Sequence, residues 1–290
     1  MTPEGFANPW EHVRLLSDGP RNAALIGLLE RRAPGARVLE VGCGSGLLSC
    51  IAARLGARAV YAVEPTPLAD VAERLVAESG LGGVVRVLRG RVEDLPAQPV
   101  DLAFSELLNA DPFVEGVLPA MDAAARWLAP GGLLAPRRLR VWAALARAGG
   151  PAAEARAAGT ELRSLGARFG LATDVIAGTL APPLPYVELS GSEQPVGPAE
   201  LVWDLGLGVG DTPPARTIAL RAAEPGPVGG VLLWFEADLD PGFTLGNTPG
   251  GDTHWGRLLL GFAIERGVRA GGTCAVALRV EGGRVTGGWA

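Results

Sequence analysis

From Asn22 to Leu134, short apolar runs rich in β-branched residues alternate with stretches in which Ala, Leu and Arg recur at the helical period. Arg37–Val41, Ala59–Val63, Val84–Leu88 and Leu102–Phe104 read as strands, and Ala23–Arg32, Leu47–Leu55, Pro67–Ser79 and Phe113–Leu128 as helices. Strand and helix alternating at this spacing predict a parallel sheet covered by helices on both faces. The strand runs are apolar throughout, as burial of both faces requires. After Ala129-Pro130-Gly131-Gly132 the texture changes. Leu139–Leu145 reads as a strand and Ala152–Phe169 as a helix with Arg and Glu on one face. The runs Leu201–Leu205, Thr217–Arg221, Val231–Ala237, Arg257–Ile264 and Cys274–Val280 then alternate with turn residues, which predicts an all-β half, sandwich or barrel. The boundary near Pro136 divides residues 1–136 from 137–290, with no internal repeat and no long linker.

Composition narrows the class. The 290 residues are 48% hydrophobic and 20% charged, enough to bury a core and unlike a disordered chain. Net charge is −5, and all 26 basic residues are arginine. A mildly acidic chain without lysine is a poor nucleic-acid binder and has no Schiff-base lysine. The three cysteines, Cys43, Cys50 and Cys274, lack C-x-x-C spacing, which predicts neither a disulfide framework nor a metal site and fits a reducing compartment. Glu4, Glu11 and Arg14 interrupt any N-terminal apolar run, and no stretch approaches the ~20 apolar residues of a membrane span. The expectation is a soluble, cytoplasmic protein with no membrane partner.

Val38-Leu39-Glu40-Val41-Gly42-Cys43-Gly44-Ser45-Gly46 joins a predicted strand to a predicted helix. Glycines there let the backbone turn sharply and approach a ligand. A tight turn alone would account for them, but Glu64 ends the next strand, 24 residues after Glu40. An acid at that place can accept both hydroxyls of a ribose. NAD proteins share this logic, so these residues specify an adenosine ligand and not a reaction. Two details favour S-adenosyl-L-methionine. A carboxylate at Glu40 suits a ligand ammonium and repels a pyrophosphate, and Glu93 offers an acceptor for an adenine amino group. A solvated loop acid is the plain alternative for Glu93. The combination predicts a class I methyltransferase.

Glu106 and Glu115 stand nine residues apart, at the two ends of the segment after the fourth strand. Strand C-terminal ends face the ligand crevice of open α/β sheets, so both acids can line one pocket. Two converging carboxylates share a proton or need a cation between them. A guanidinium fits: planar, always charged and forked. A loop acid at Glu106 and a helix-start acid at Glu115 is the alternative from spacing alone.

Together these segments resemble the protein arginine methyltransferase family. The two acids are similar to its double-glutamate hairpin. His12-Val13-Arg14-Leu15-Leu16-Ser17-Asp18-Gly19-Pro20-Arg21 is similar to its H-x-x-M-L-x-D-x-x-R segment, with Leu15 for Met, and Thr253-His254-Trp255 to its T-H-W loop. The resemblance implies a Rossmann-like methyltransferase domain with an N-terminal helical segment (1–136). A β-barrel substrate domain follows (137–290), with a helical dimerisation arm near 152–169 and hence a homodimer. It implies that Glu106 and Glu115 clamp the substrate guanidinium beside Trp255, whose part could equally be packing. Arg21 pairs with the cofactor carboxylate beside His12, Gly42 and Gly44 lie against the cofactor, and Glu64 and Glu93 take ribose and adenine. His254 bridges Asp18 to Glu115. Only Phe6 and Trp10 are candidates for the family's N-terminal aromatic lid. Arg21-Asn22 and Glu115-Gly116-Val117-Leu118-Pro119 look most like the monomethylating, type III branch, whose members often carry two modules where this chain has one. The family default is an arginine-containing peptide or protein. Free L-arginine or another guanidino metabolite is the alternative, and a non-catalytic scaffold the second. Against the scaffold stand Glu106, Glu115 and His254, which are costly to bury without a use.

Overall fold

The computed structural model describes residues 9–147, 150–173, 175–176, 187–189, 194–251 and 253–290. The apolar runs of the first half form β1 (Arg37–Val41), β2 (Ala59–Glu64), β3 (Val85–Arg89), β4 (Val100–Ser105) and β5 (Leu128–Ala135). All pair in parallel, in the order β3-β2-β1-β4-β5. α1 (Pro9–Ser17) and α2 (Gly19–Arg32) precede the sheet, and α3 (Leu47–Arg54), α4 (Leu68–Glu78) and α5 (Val117–Ala125) connect its strands. Strand order reverses between β1 and β4, which opens a crevice at their C-terminal ends.

Several boundaries differ from the sequence reading, and two of them shape the sheet and the site. β5 runs straight through Ala129-Pro130-Gly131-Gly132, where the sequence reading places no strand. It is an edge strand, where a missing proline N–H is tolerated, and its register with β4 shifts between Val100 and Leu102. α5 begins at Val117 rather than Phe113, because Gly116 adopts a left-handed φ of 77° immediately before it. Glu115 therefore sits in the loop and not on a helix.

The second half is antiparallel. β6 (Arg138–Ala146) leads to α6 (Gly150–Phe169), then β7 (Val187–Leu189), β8 (Glu200–Gly206), β9 (Arg216–Arg221), β10 (Gly226–Asp240), β11 (Phe243–Gly246), β12 (Arg257–Val268), β13 (Thr273–Glu281) and β14 (Arg284–Trp289). One sheet has the order β7-β12-β10-β6-β8, with β11 on β10, and the other β14-β13-β9. β9 runs beside β8 and β14 beside β12, so both edges of the small sheet meet the large one and close a barrel.

One apolar core runs through both halves. Polar pins fix their relation. Arg32 makes a two-pronged pair with Asp240 at the end of β10, 2.9 Å on each prong, and Arg31 reaches the same carboxylate at 3.2 Å. The Phe243 ring of β11 packs onto α2 at Gly27, where a Cβ would come within 2.4 Å of it. Asp111, fully buried, accepts the Val285 N–H of β14 at 2.8 Å.

Candidate functional site

The glycine loop after β1 turns on three residues of positive φ: Gly42 (72°), Gly44 (53°) and Gly46 (77°). A side chain at Gly42 would be strained and would also meet Leu107 at 2.7 Å. Glu64 locks this loop to the end of β2, accepting the Gly44 N–H on one oxygen and the Thr66 N–H on the other, each at 2.9 Å. Glu40 is buried and accepts a hydrogen bond from the Ser49 hydroxyl. Burial pushes its carboxyl up to about 8 despite that donor and the Arg21 charge. Among the described residues no cation touches it. Glu93 lies in a short turn, 3.6 Å from Arg91.

Asp18 caps α2 from just before its first residue, its Oδ1 accepting the Arg21 N–H at 2.9 Å. Its Oδ2 accepts both the backbone N–H of His254 (2.9 Å) and the ring Nδ1 (2.8 Å). Burial raises the Asp18 carboxyl, but the Arg21 and His254 donors outweigh it, and it stays below its ordinary value. His254 is lowered, because burial outweighs the Glu106 charge and the Asp18 bond. An ionised Asp18 against a neutral ring puts the proton on Nδ1 and leaves Nε2 as an acceptor.

Arg21 grips Glu106 through Nε at 2.7 Å and Nη2 at 2.5 Å, with both side chains about 95% buried. The other oxygen of Glu106 accepts the Trp255 indole N–H at 2.9 Å. Trp255 is itself buried, edge-on to Phe235, so it packs and donates at once. Glu115 is held from its own loop by the Asn109 amide at 2.9 Å. Asp111 accepts the Phe113 N–H at 3.1 Å and anchors this loop to β14, while Phe113 meets Trp203 edge-on. The T-H-W loop is stapled by buried Asn247, which accepts the Phe235 N–H and donates to the Gly256 carbonyl, both at 2.7 Å.

A cleft of about 690 Å³ brings these groups together. Glu40, Gly42, Gly44, Glu64 and Glu93 line it together with Arg21, Glu106, Glu115, His254 and Trp255. Asp18 sits behind Arg21 and His254 rather than in the wall. His12 lies in α1, and its side chain and that of Trp10 fall outside the described residues, as does Phe6. The sequence reading missed Asn109, Asp111 and Asn247. Asp111-Pro112 is a turn signal that could have flagged the second of them. The Arg21–Glu106 pair, between residues 85 apart, has no signal in the local sequence.

Residues 39–135 match a family described as a methyltransferase domain. The arginine N(omega)-methyltransferase of Streptomyces achromogenes subsp. streptozoticus is 31% identical, over 93% of this chain and 76% of that protein. Arabidopsis thaliana protein arginine N-methyltransferase PRMT10 is 42% identical over 115 residues, which are 38% of this chain and 29% of that protein. The solved structure of protein arginine methyltransferase 10 from the same plant, described as uniquely open, aligns with a TM-score of 0.79 at 24% identity, over 95% of this chain and 89% of that one. The Trypanosoma brucei PRMT1 enzyme–prozyme heterotetramer with AdoHcy aligns at 0.78 and 22%, over 94% and 88%. At such identities the structural matches establish the fold.

Proposed function

The chain belongs to the arginine N-methyltransferase family, and on that premise we propose that it transfers the methyl group of S-adenosyl-L-methionine to a guanidino nitrogen of arginine. The observation that carries this is the pair Glu106 and Glu115 lining one cleft, each oriented by a separate donor set. The cofactor end suits its ligand. Glu64 is fixed by two backbone donors with lone pairs left for ribose hydroxyls, and Glu40 is a buried acid lacking the cation that a ligand ammonium would supply. His12 and Arg21 serve the ligand carboxylate, Gly42 and Gly44 its approach, and Glu93 its adenine.

S-adenosyl-L-methionine, when bound, supplies an electrophilic methyl carbon. The chain holds and polarises the acceptor. A free guanidinium is a poor nucleophile because its lone pairs are delocalised. Glu106 and Glu115 draw its charge toward one nitrogen, leaving the other richer in electrons, and fix its direction. Such positioning is worth up to ~7–11 kcal/mol of barrier, and one preorganised charge ~3–4 kcal/mol. The proton leaves to Glu115 or to Nε2 of His254, with Asp18 holding the ring. Arg21 gives two donors to Glu106 and one to Asn22, which leaves two of its five N–H groups for the ligand carboxylate, while Glu106 also keeps the Trp255 donor.

Residues 1–136 act as the cofactor domain and 137–290 as the substrate domain. α6 is the arm of a homodimer, supported by exposed Leu165 and Phe169 near its end. None of the described helices is long and apolar enough to cross a membrane, in keeping with a cytoplasmic enzyme.

The test incubates pure protein with labelled S-adenosyl-L-methionine and, in parallel, free L-arginine and an Arg/Gly-rich peptide, with products read by mass spectrometry. A methylated guanidine is expected, with a single methyl if the type III likeness holds. A protein that binds the cofactor and methylates no guanidine overturns the reading.

A further inference from the structure

Three arginines line the cleft: Arg14, Arg21 and Arg91. Arg21 is paired with Glu106 and Arg91 lies 3.6 Å from Glu93. Arg14 is different. It is exposed, and among the described residues its polar contact is the His254 carbonyl oxygen at 3.4 Å, with no carboxylate beside it. A guanidinium at a cleft mouth with only a carbonyl for company retains donors for an anion.

Its place says which anion. Arg14 touches His254, and the next residue, Trp255, donates to Glu106. Its contact is therefore on the loop that also holds Glu106, and among the described residues it makes no hydrogen bond to the glycine loop or to Glu64. A basic peptide threaded to that clamp would pass an unpaired like charge, which disfavours it. A guanidine that ends in its own carboxylate gains from both ends of the site: the guanidinium between Glu106 and Glu115, the carboxylate on Arg14.

We propose that Arg14 binds the carboxylate of a small guanidino acid, free L-arginine being the simplest, and so selects it over arginine within a peptide. This rests on the reading of the clamp given above and adds the substrate class.

The experiment compares kcat/KM for L-arginine, L-argininamide (the same guanidine with the carboxylate neutralised) and an Arg/Gly-rich peptide, in wild type, Arg14→Gln and Arg14→Lys. Wild type is expected to prefer L-arginine to L-argininamide by roughly tenfold or more, the effect of one charge-assisted bond. In Arg14→Gln that ratio falls to about one, and Arg14→Lys restores most of it. Because the ratio is internal to each protein, partial loss of folding does not mimic the result. Affinity for S-adenosylhomocysteine, measured by calorimetry, separates the two carboxylates in play. If Arg14→Gln weakens it as much as it lowers the ratio, Arg14 serves the cofactor and the proposal fails. It fails equally if the amide or the peptide matches L-arginine in wild type, or if the ratio survives Arg14→Gln. Turnover of none of the three guanidines refutes the methyltransferase reading itself, a distinct outcome that takes this proposal with it.

Discussion

Glu106 and Glu115 are presented from opposite supports, one by a buried cation and an indole, the other by an amide of its own loop. Glutamine at either position keeps the shape and removes the charge proposed to polarise the acceptor. Glu106→Gln and Glu115→Gln are each expected to lower turnover by ~10²–10³, while S-adenosylhomocysteine affinity in calorimetry stays near wild type. Loss of cofactor affinity in step with activity would remove both from the substrate side. Glu40 carries a different expectation. Its folded carboxyl titrates near 8 against an unfolded value of 4.5, so it contributes stability that is full below 4.5 and lost as pH rises through about 8. Thermal melts should fall between pH 5 and 8 more steeply in wild type than in Glu40→Gln, and run parallel above that. Parallel curves throughout would mean that Glu40 ionises freely.

Elements matter here through the side chains that stop them from moving. Asn247 closes the turn between β11 and β12 that carries Thr253-His254-Trp255, and its two bonds are internal. Asn247→Ala leaves a buried N–H and a buried carbonyl unpaired, at about 1–3 kcal/mol per group. A lower melting temperature is expected, together with a loss of turnover that exceeds any loss of cofactor affinity, because Trp255 no longer aims at Glu106. An unchanged melt and rate would assign the loop's order to Arg257, which bonds the Thr248 and Gly251 carbonyls. This level is where the sequence is least legible. β1 to β4 and α2 to α4 follow from local periodicity, and the glycine loop with Glu40 and Glu64 follows from spacing. β5 hides behind Pro130 because an edge strand tolerates it. β11 and β14 are short or glycine-rich and carry little pattern. The Asp111 bond to Val285 joins residues 174 apart, and no local window contains it.

At the scale of the molecule, the barrel is a second support for chemistry that the parallel sheet begins. Asp240, Asp111 and Asp18 each tie the two halves together, and the third also orients His254. The arm reaches outward instead. Phe169 is 60% exposed at its end, a large apolar ring with no cover among the described residues beyond the adjacent Arg168 guanidinium. Phe169→Ser is therefore expected to shift sedimentation toward monomer at micromolar concentration. A wild-type protein that already sediments as a monomer would strip α6 of its assigned part.

The Arg21–Glu106 pair makes one side chain the joint between two ligands. Arg21 gives two donors to Glu106 and one to Asn22, and two of its five remain for the cofactor carboxylate proposed above. A single buried guanidinium then sets both the plane of the acceptor carboxylate and the seat of the cofactor's tail, so the two partners of the reaction are aligned by the same part. Arg21→Lys, which keeps the charge and loses the fork, is expected to lower turnover and S-adenosylhomocysteine affinity together. A loss of one without the other would take the joint apart.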